Sequence, residues 1–190
     1  MKTKNKKIWA ILAPILFICV MTFLSYGYGS LCNQVYLGGV KIFSKSYQMY
    51  HIKSTVPSVI KEELVWRFVP LFFISCVIHM WKYEAKKHKN IVLLVCFAIL
   101  VAISALFGYK HYNPVLESKE MISVHIVMQG VMGLLYAVAY NISQTYIFKR
   151  LKNKSTSILL SISLSHITGL LSSMIVHLLT NISLIMRYTF

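Results

Sequence analysis

Apolar residues in this chain are gathered into runs, and the runs predict the architecture. The first extends from Ile8 to about Tyr28 and the second from about Pro57 to Met80. The third covers Ile91–Tyr109, the fourth Ile122–Phe148 and the fifth Ser157–Met186. Each approaches the roughly 20 residues that an α-helix needs to cross a hydrocarbon core of about 30 Å. The fifth is long enough to tilt, or to break near Gly169. The pattern predicts an all-α polytopic membrane protein with about five transmembrane helices. Residues 31–56 are too polar to span. They are expected to lie in the interface as an amphipathic segment, or to dip in as a re-entrant hairpin that would make a sixth element.

Basic residues set the expected orientation, because Lys and Arg collect on the cytoplasmic side of spans. Lys2, Lys4, Lys6 and Lys7 form one cluster; Lys82, Lys86, Lys87 and Lys89 a second; Lys149, Arg150, Lys152 and Lys154 a third. The clusters fall at alternate ends of consecutive spans, so five helices with the amino terminus inside satisfy all three. The first run has a basic start but is too long for a signal-peptide core. It ends without a small-x-small site and is expected to stay as an uncleaved span. Residues 1–190 read as one membrane domain: first helix 1–30, interfacial segment 31–56, then the remaining spans.

Composition removes the usual reading of a basic chain. The net charge is +15, yet 57% of residues are hydrophobic and only 13% are charged, against about 25% charged in ordinary soluble domains. The cations lie in short clusters between apolar runs, not on one face of a module, so nucleic acid is not an expected partner. Membrane lipid is. The four cysteines, Cys19, Cys32, Cys76 and Cys96, show no CxxC and sit in or beside apolar runs. They read as packing thiols.

Carboxylates are scarce: Glu62, Glu63, Glu84, Glu117 and Glu120 are the full set, and Asp is absent. Charge inside a span is costly unless paired or hydrated, which makes each such residue a functional candidate. On a helix, Glu63 and Arg67 are i,i+4 neighbours and can pair. Glu62 is turned about 100° away and shares its face with Trp66. It is expected to remain uncompensated in a poorly solvated place, which suits a residue that takes and returns a proton. A plainer alternative is an interfacial helix start whose charges satisfy the helix dipole and lipid headgroups. The third run ends Phe107-Gly108-Tyr109-Lys110-His111, at the membrane side where the second begins. Glu62 and His111 are therefore expected at similar depth, and Glu plus His is a pair that activates water. His166, His177 (with Asn181 one turn on) and, less prominently, His125 add imidazoles inside later runs, while His79 and His88 read as interfacial.

Taken in order, these residues resemble the CPBP family of intramembrane proteases, also called Abi or type II CAAX-processing endopeptidases. Its EExxxR motif is matched by Glu62, Glu63 and Arg67, and its FxxxH by Phe107 and His111. EExxxR should arise by chance in well under roughly 1% of such chains, whereas FxxxH or HxxxN alone is common. The third motif, a His usually followed by Asn four residues on, has two candidates. His166 stands at the family's usual distance from the basic turn, but Leu170 replaces Asn; His177 with Asn181 is complete but late. His166 is the preferred one. The resemblance covers residues 55–181 and leaves the first span outside it.

The resemblance implies a bacterial cell-membrane endopeptidase acting on a peptide or on a prenylated, leader-bearing or membrane-anchored substrate. Glu62 would be the base, His111 would help bind the water, and the third-motif His would stabilise the oxyanion. Glu63, Arg67 and Phe107 would support them. No cofactor is favoured, although Glu62, His111 and His166 are together a possible zinc set. The alternative within the family is bacteriocin immunity or another membrane interaction with little proteolysis. A proton-relay transporter subunit is a third class, disfavoured by the absence of an inverted repeat.

Overall fold

The computed structural model describes residues 2–38, 48–80, 88–152 and 157–189. Helix α1 is Lys2–Leu37. Helix α2, Gln48–Glu63, passes through a five-residue π-helical turn, Leu64–Phe68, into α3, Val69–Met80, with helical backbone angles at both joints. Helix α4 is Lys89–Tyr109. The short α5, Met121–His125, continues through a second π turn, Ile126–Gly130, into α6, Val131–Lys152. Helix α7, Ile158–Arg187, begins with the Ser157 hydroxyl accepting the Leu160 backbone N–H.

The chain is an all-α polytopic membrane protein. Among the described residues four stretches are long and apolar enough to cross a membrane: Leu12–Tyr36, Asn90–Tyr109, Met121–Leu151 and Leu160–Arg187. The second predicted span is the continuous rod α2–π–α3, which carries Lys61, Glu62, Glu63 and Arg67 at its middle. Its break in regularity has a local cause. Pro70 has no N–H to give the Trp66 carbonyl, so the ladder cannot run unbroken through this turn. The helix widens instead, and the Val69 N–H reaches the Leu64 carbonyl five residues back.

Two expectations need correction. The first helix does not stop near residue 30, and α2 already begins at residue 48, so the polar segment 31–56 is mostly helix at both ends. Ser25, Ser30 and Asn33 lowered the apolar score there, yet all three are buried in the bundle, and the Ser30 hydroxyl is 3.0 Å from the Tyr188 hydroxyl. The remainder, residues 39–47, lies outside the described residues, as do the side chains of most of the three basic clusters. Nor does α7 break at Gly169. A Cβ there would lie 2.9 Å from the Tyr140 carbonyl oxygen, so this glycine lets α6 and α7 approach closely. Met21, Met132, Tyr136, Ala139 and Val176 form the core where α1, α6 and α7 meet. All four cysteines are free.

Candidate active site

The EExxxR carboxylates are turned to different partners, as the helix geometry requires. Glu63 and Arg67 pair at 3.2 Å, both almost wholly buried. Glu63 also accepts from the Ser173 hydroxyl and, at 2.8 Å, from His177 Nδ1, both on α7. The Arg67 guanidinium lies 4.1 Å over the Phe107 ring and 5.5 Å from the Tyr136 ring centre. Tyr136 in turn stacks on His177, centroids 4.2 Å apart and planes within 19°. Phe107 meets His111 edge-on at 4.8 Å. One buried ion pair and its aromatic walls thus fix α2, α4, α6 and α7 to one another.

Glu62 sits at the open edge of this cluster. Its Oε1 is 3.0 Å from Lys110 Nζ and 3.9 Å from His111 Nε2, and its Oε2 is 3.9 Å from His177 Nε2. The expectation of an uncompensated carboxylate is therefore wrong, because Lys110 is its counter-ion. That lysine had read only as a flank of His111; the close of α4 brings both to the same carboxylate.

The hydrogen-bonding roles of the two imidazoles follow from their partners. His111 Nδ1 lies 2.8 Å from the Phe107 carbonyl, which can only accept, so Nδ1 carries the hydrogen. His177 Nδ1 faces the ionised, Arg-paired Glu63, so it too carries a hydrogen. Burial pushes the His111 pKa below its ordinary value, outweighing the opposing pull of the Phe107 carbonyl and Glu62, so its ring is neutral at pH 7. When both rings are neutral, each Nε2 presents a lone pair towards Glu62. Two imidazole acceptors and a carboxylate then face one another across gaps too long for direct bonding, the arrangement a water molecule bridges with its two hydrogens.

His166 is elsewhere. Eleven residues separate it from His177, about 16 Å along the helix, and its Nδ1 is 2.6 Å from the Tyr140 hydroxyl while its ring meets Phe72 edge-on. The set Glu62, His111 and His166 is not assembled, and His177 takes the place beside the carboxylates that His166 was expected to fill. Asn181, one turn beyond His177, lines a neighbouring cavity, and His125 Nε2 contacts Glu117 at 3.0 Å. Among the described residues no group of three or more His, Cys, Asp or Glu is arranged to hold a metal ion.

Sequence reading missed Lys110, Ser173, Tyr136 and Gly133. Ser173 carries a usable signal, since it precedes His177 by one turn on the same face. Gly133 is needed because α6 passes against the Arg67–Phe107 stack. A Cβ there would lie 2.8 Å from both Arg67 Nη2 and Phe107 Cδ1. Gly133→Ala should therefore cost about 1–3 kcal/mol by overpacking, read as a lower midpoint of thermal unfolding in detergent. An unchanged midpoint would show that the stack gives way freely.

Comparison with protein-family models, with curated proteins and with solved structures gives no match.

Proposed function

We propose that this chain is an intramembrane endopeptidase that hydrolyses a peptide bond in a membrane-associated, prenylated or leader-bearing substrate with water activated by Glu62. The observation carrying this reading is the convergence of His111 Nε2 and His177 Nε2, each 3.9 Å away, on opposite oxygens of Glu62. A water held there gives one proton to the Glu62 carboxylate as its oxygen bonds to the scissile carbonyl carbon. The carbonyl electrons move onto oxygen, and Lys110, already beside Glu62, is the cation available to that charge. Collapse breaks the carbon–nitrogen bond, and the proton on Glu62 passes to the departing amine. Glu63 holds the His177 ring by its Nδ1–H, so His177 presents Nε2 in one orientation.

In this reading the third-motif role belongs to His177. His177→Ala should abolish cleavage of a quenched peptide by the detergent-purified protein, whereas His166→Ala should leave most of it. The reverse result would return the role to His166. The Lys110 ammonium bonded to Glu62 favours a metal-free route, since a divalent ion on the same carboxylate would have to displace it or tolerate its charge. Cleavage should accordingly persist after exhaustive chelation. Activity lost to the chelator and restored by zinc would establish a metalloenzyme.

The proposed location is a bacterial cell membrane with the amino terminus cytoplasmic, which rests on the lysine clusters. One observation favours the second reading, a protein acting in bacteriocin immunity or another membrane interaction. Lys110 engages the same carboxylate that must act as base, and a permanently paired Glu62 is a binding determinant rather than a proton acceptor.

A further inference from the structure

A second polar cavity, of about 330 Å³, opens between α1, the α5–π–α6 rod and α7, and the proposed hydrolysis does not use it. Glu117, His125, Asn33, Gln129 and Asn181 reach it from three elements, with Met121, Met128 and Met132 among its apolar lining. Two buried atoms of this lining have no hydrogen-bond partner: His125 Nδ1 and Asn33 Oδ1. Asn33 is 4% exposed, so bulk water does not serve it. A buried polar atom left unpaired is costly, and its recurrence in one cavity marks a place where something else supplies the bond.

The chemistry of the missing partner follows from these groups. Glu117 accepts the Asn113 backbone N–H at 2.9 Å and the His125 Nε2 hydrogen at 3.0 Å. The first and then the second hold its pKa below the ordinary carboxylate value, so it is ionised at pH 7. With Nε2 donating to Glu117, a neutral His125 presents Nδ1 as a lone pair. The cavity therefore offers three acceptors, Glu117, His125 Nδ1 and Asn33 Oδ1, one of them charged. A primary ammonium has three N–H donors and one positive charge. A quaternary ammonium has no donor and an amide too few.

The rest of the lining narrows the carrier. Methionine thioethers accommodate apolar groups of varied shape, and the Gln129 and Asn181 amides can bond a peptide backbone but have nothing to match in an acyl chain. Asn181 stands one helix turn from His177. We propose that this cavity binds the free amino terminus of a short apolar peptide. Binding here requires no turnover and holds whether or not the neighbouring cluster hydrolyses anything.

Calorimetric titration of the detergent-solubilised full chain with trileucine amide, and with the same peptide acetylated at its amino terminus, tests the proposal. The free amine should bind, and acetylation should weaken binding about tenfold or more, the scale of a lost charge-assisted hydrogen bond. Glu117→Gln, which keeps the shape of the side chain, should weaken the free peptide similarly while leaving the acetylated one unchanged. Equal binding of both peptides, or no binding of either, would overturn the proposal. So would stronger association with phosphatidylethanolamine than with phosphatidylcholine vesicles that the peptide cannot displace, because the ammonium would then be a lipid's. The decisive change is made on the peptide, so it cannot unfold the protein.

Discussion

Glu62→Gln should stop peptide hydrolysis while the helices stay assembled. The amide has the size of the carboxylate, and its oxygen still accepts a hydrogen bond from Lys110, now 3.0 Å from Glu62 Oε1. What it loses is the capacity to take a proton. Removing a positioned general base typically costs about 10²–10⁴ in rate, so the quenched-peptide signal should fall to near background. Thermal unfolding should change little, because Glu62 borders the buried Glu63–Arg67 pair without belonging to it. A well-folded Glu62→Gln variant that retains its full cellular function would sink the protease reading and leave immunity or membrane interaction standing.

Glu63→Gln should have the opposite signature, a protein that fails before its chemistry can be tested. Glu63 and Arg67 are 0% and 2% exposed, and the aromatic rings of Phe107 and Tyr136 contribute faces, not anions, to the guanidinium. Breaking a buried pair by removing one partner typically costs about 3–5 kcal/mol, since the other charge is left uncompensated. Glu63→Gln should therefore lower the unfolding midpoint and the yield of extracted protein. Replacing both partners, Glu63→Gln with Arg67→Met, should recover much of that loss, because no charge is then stranded. If the single variant is as stable as the parent, the pair is not the clamp its burial indicates.

How much of this was legible can be said residue by residue. The i,i+4 placement of Glu63 and Arg67, the divergence of Glu62 and the arrival of His111 at the same depth all follow from helical geometry and the apolar runs. The choice between His166 and His177 does not. Eleven residues are three turns plus about 20°, so both imidazoles occupy the same face of α7 and differ only in depth. Depth depends on where α2 stands beside α7, which is set by packing. Lys110 escaped notice because a lysine at a helix end reads as a membrane-surface anchor until the partner across the gap is known. The polar residues of α1 misled for a related reason: hydropathy counts Ser30 and Asn33 as cost to lipid, whereas in the bundle they face protein.

The wide turn at Leu64–Phe68 also changes how the rod α2–π–α3 is to be compared with other helices. Exposed apolar residues run Val56, Ile60, Leu64 at intervals of four, then restart at Val65, Val69, Phe73. The row shifts by one position where the π turn lies and keeps its spacing on either side. A single-period helical wheel drawn across residues 48–80 would place the two halves about 100° out of phase, and would wrongly deny the segment a continuous outward stripe. For the same reason, a protein with an unbroken α-helix at this place would need a one-residue gap within Leu64–Phe68 before its positions matched this chain on both sides of the turn.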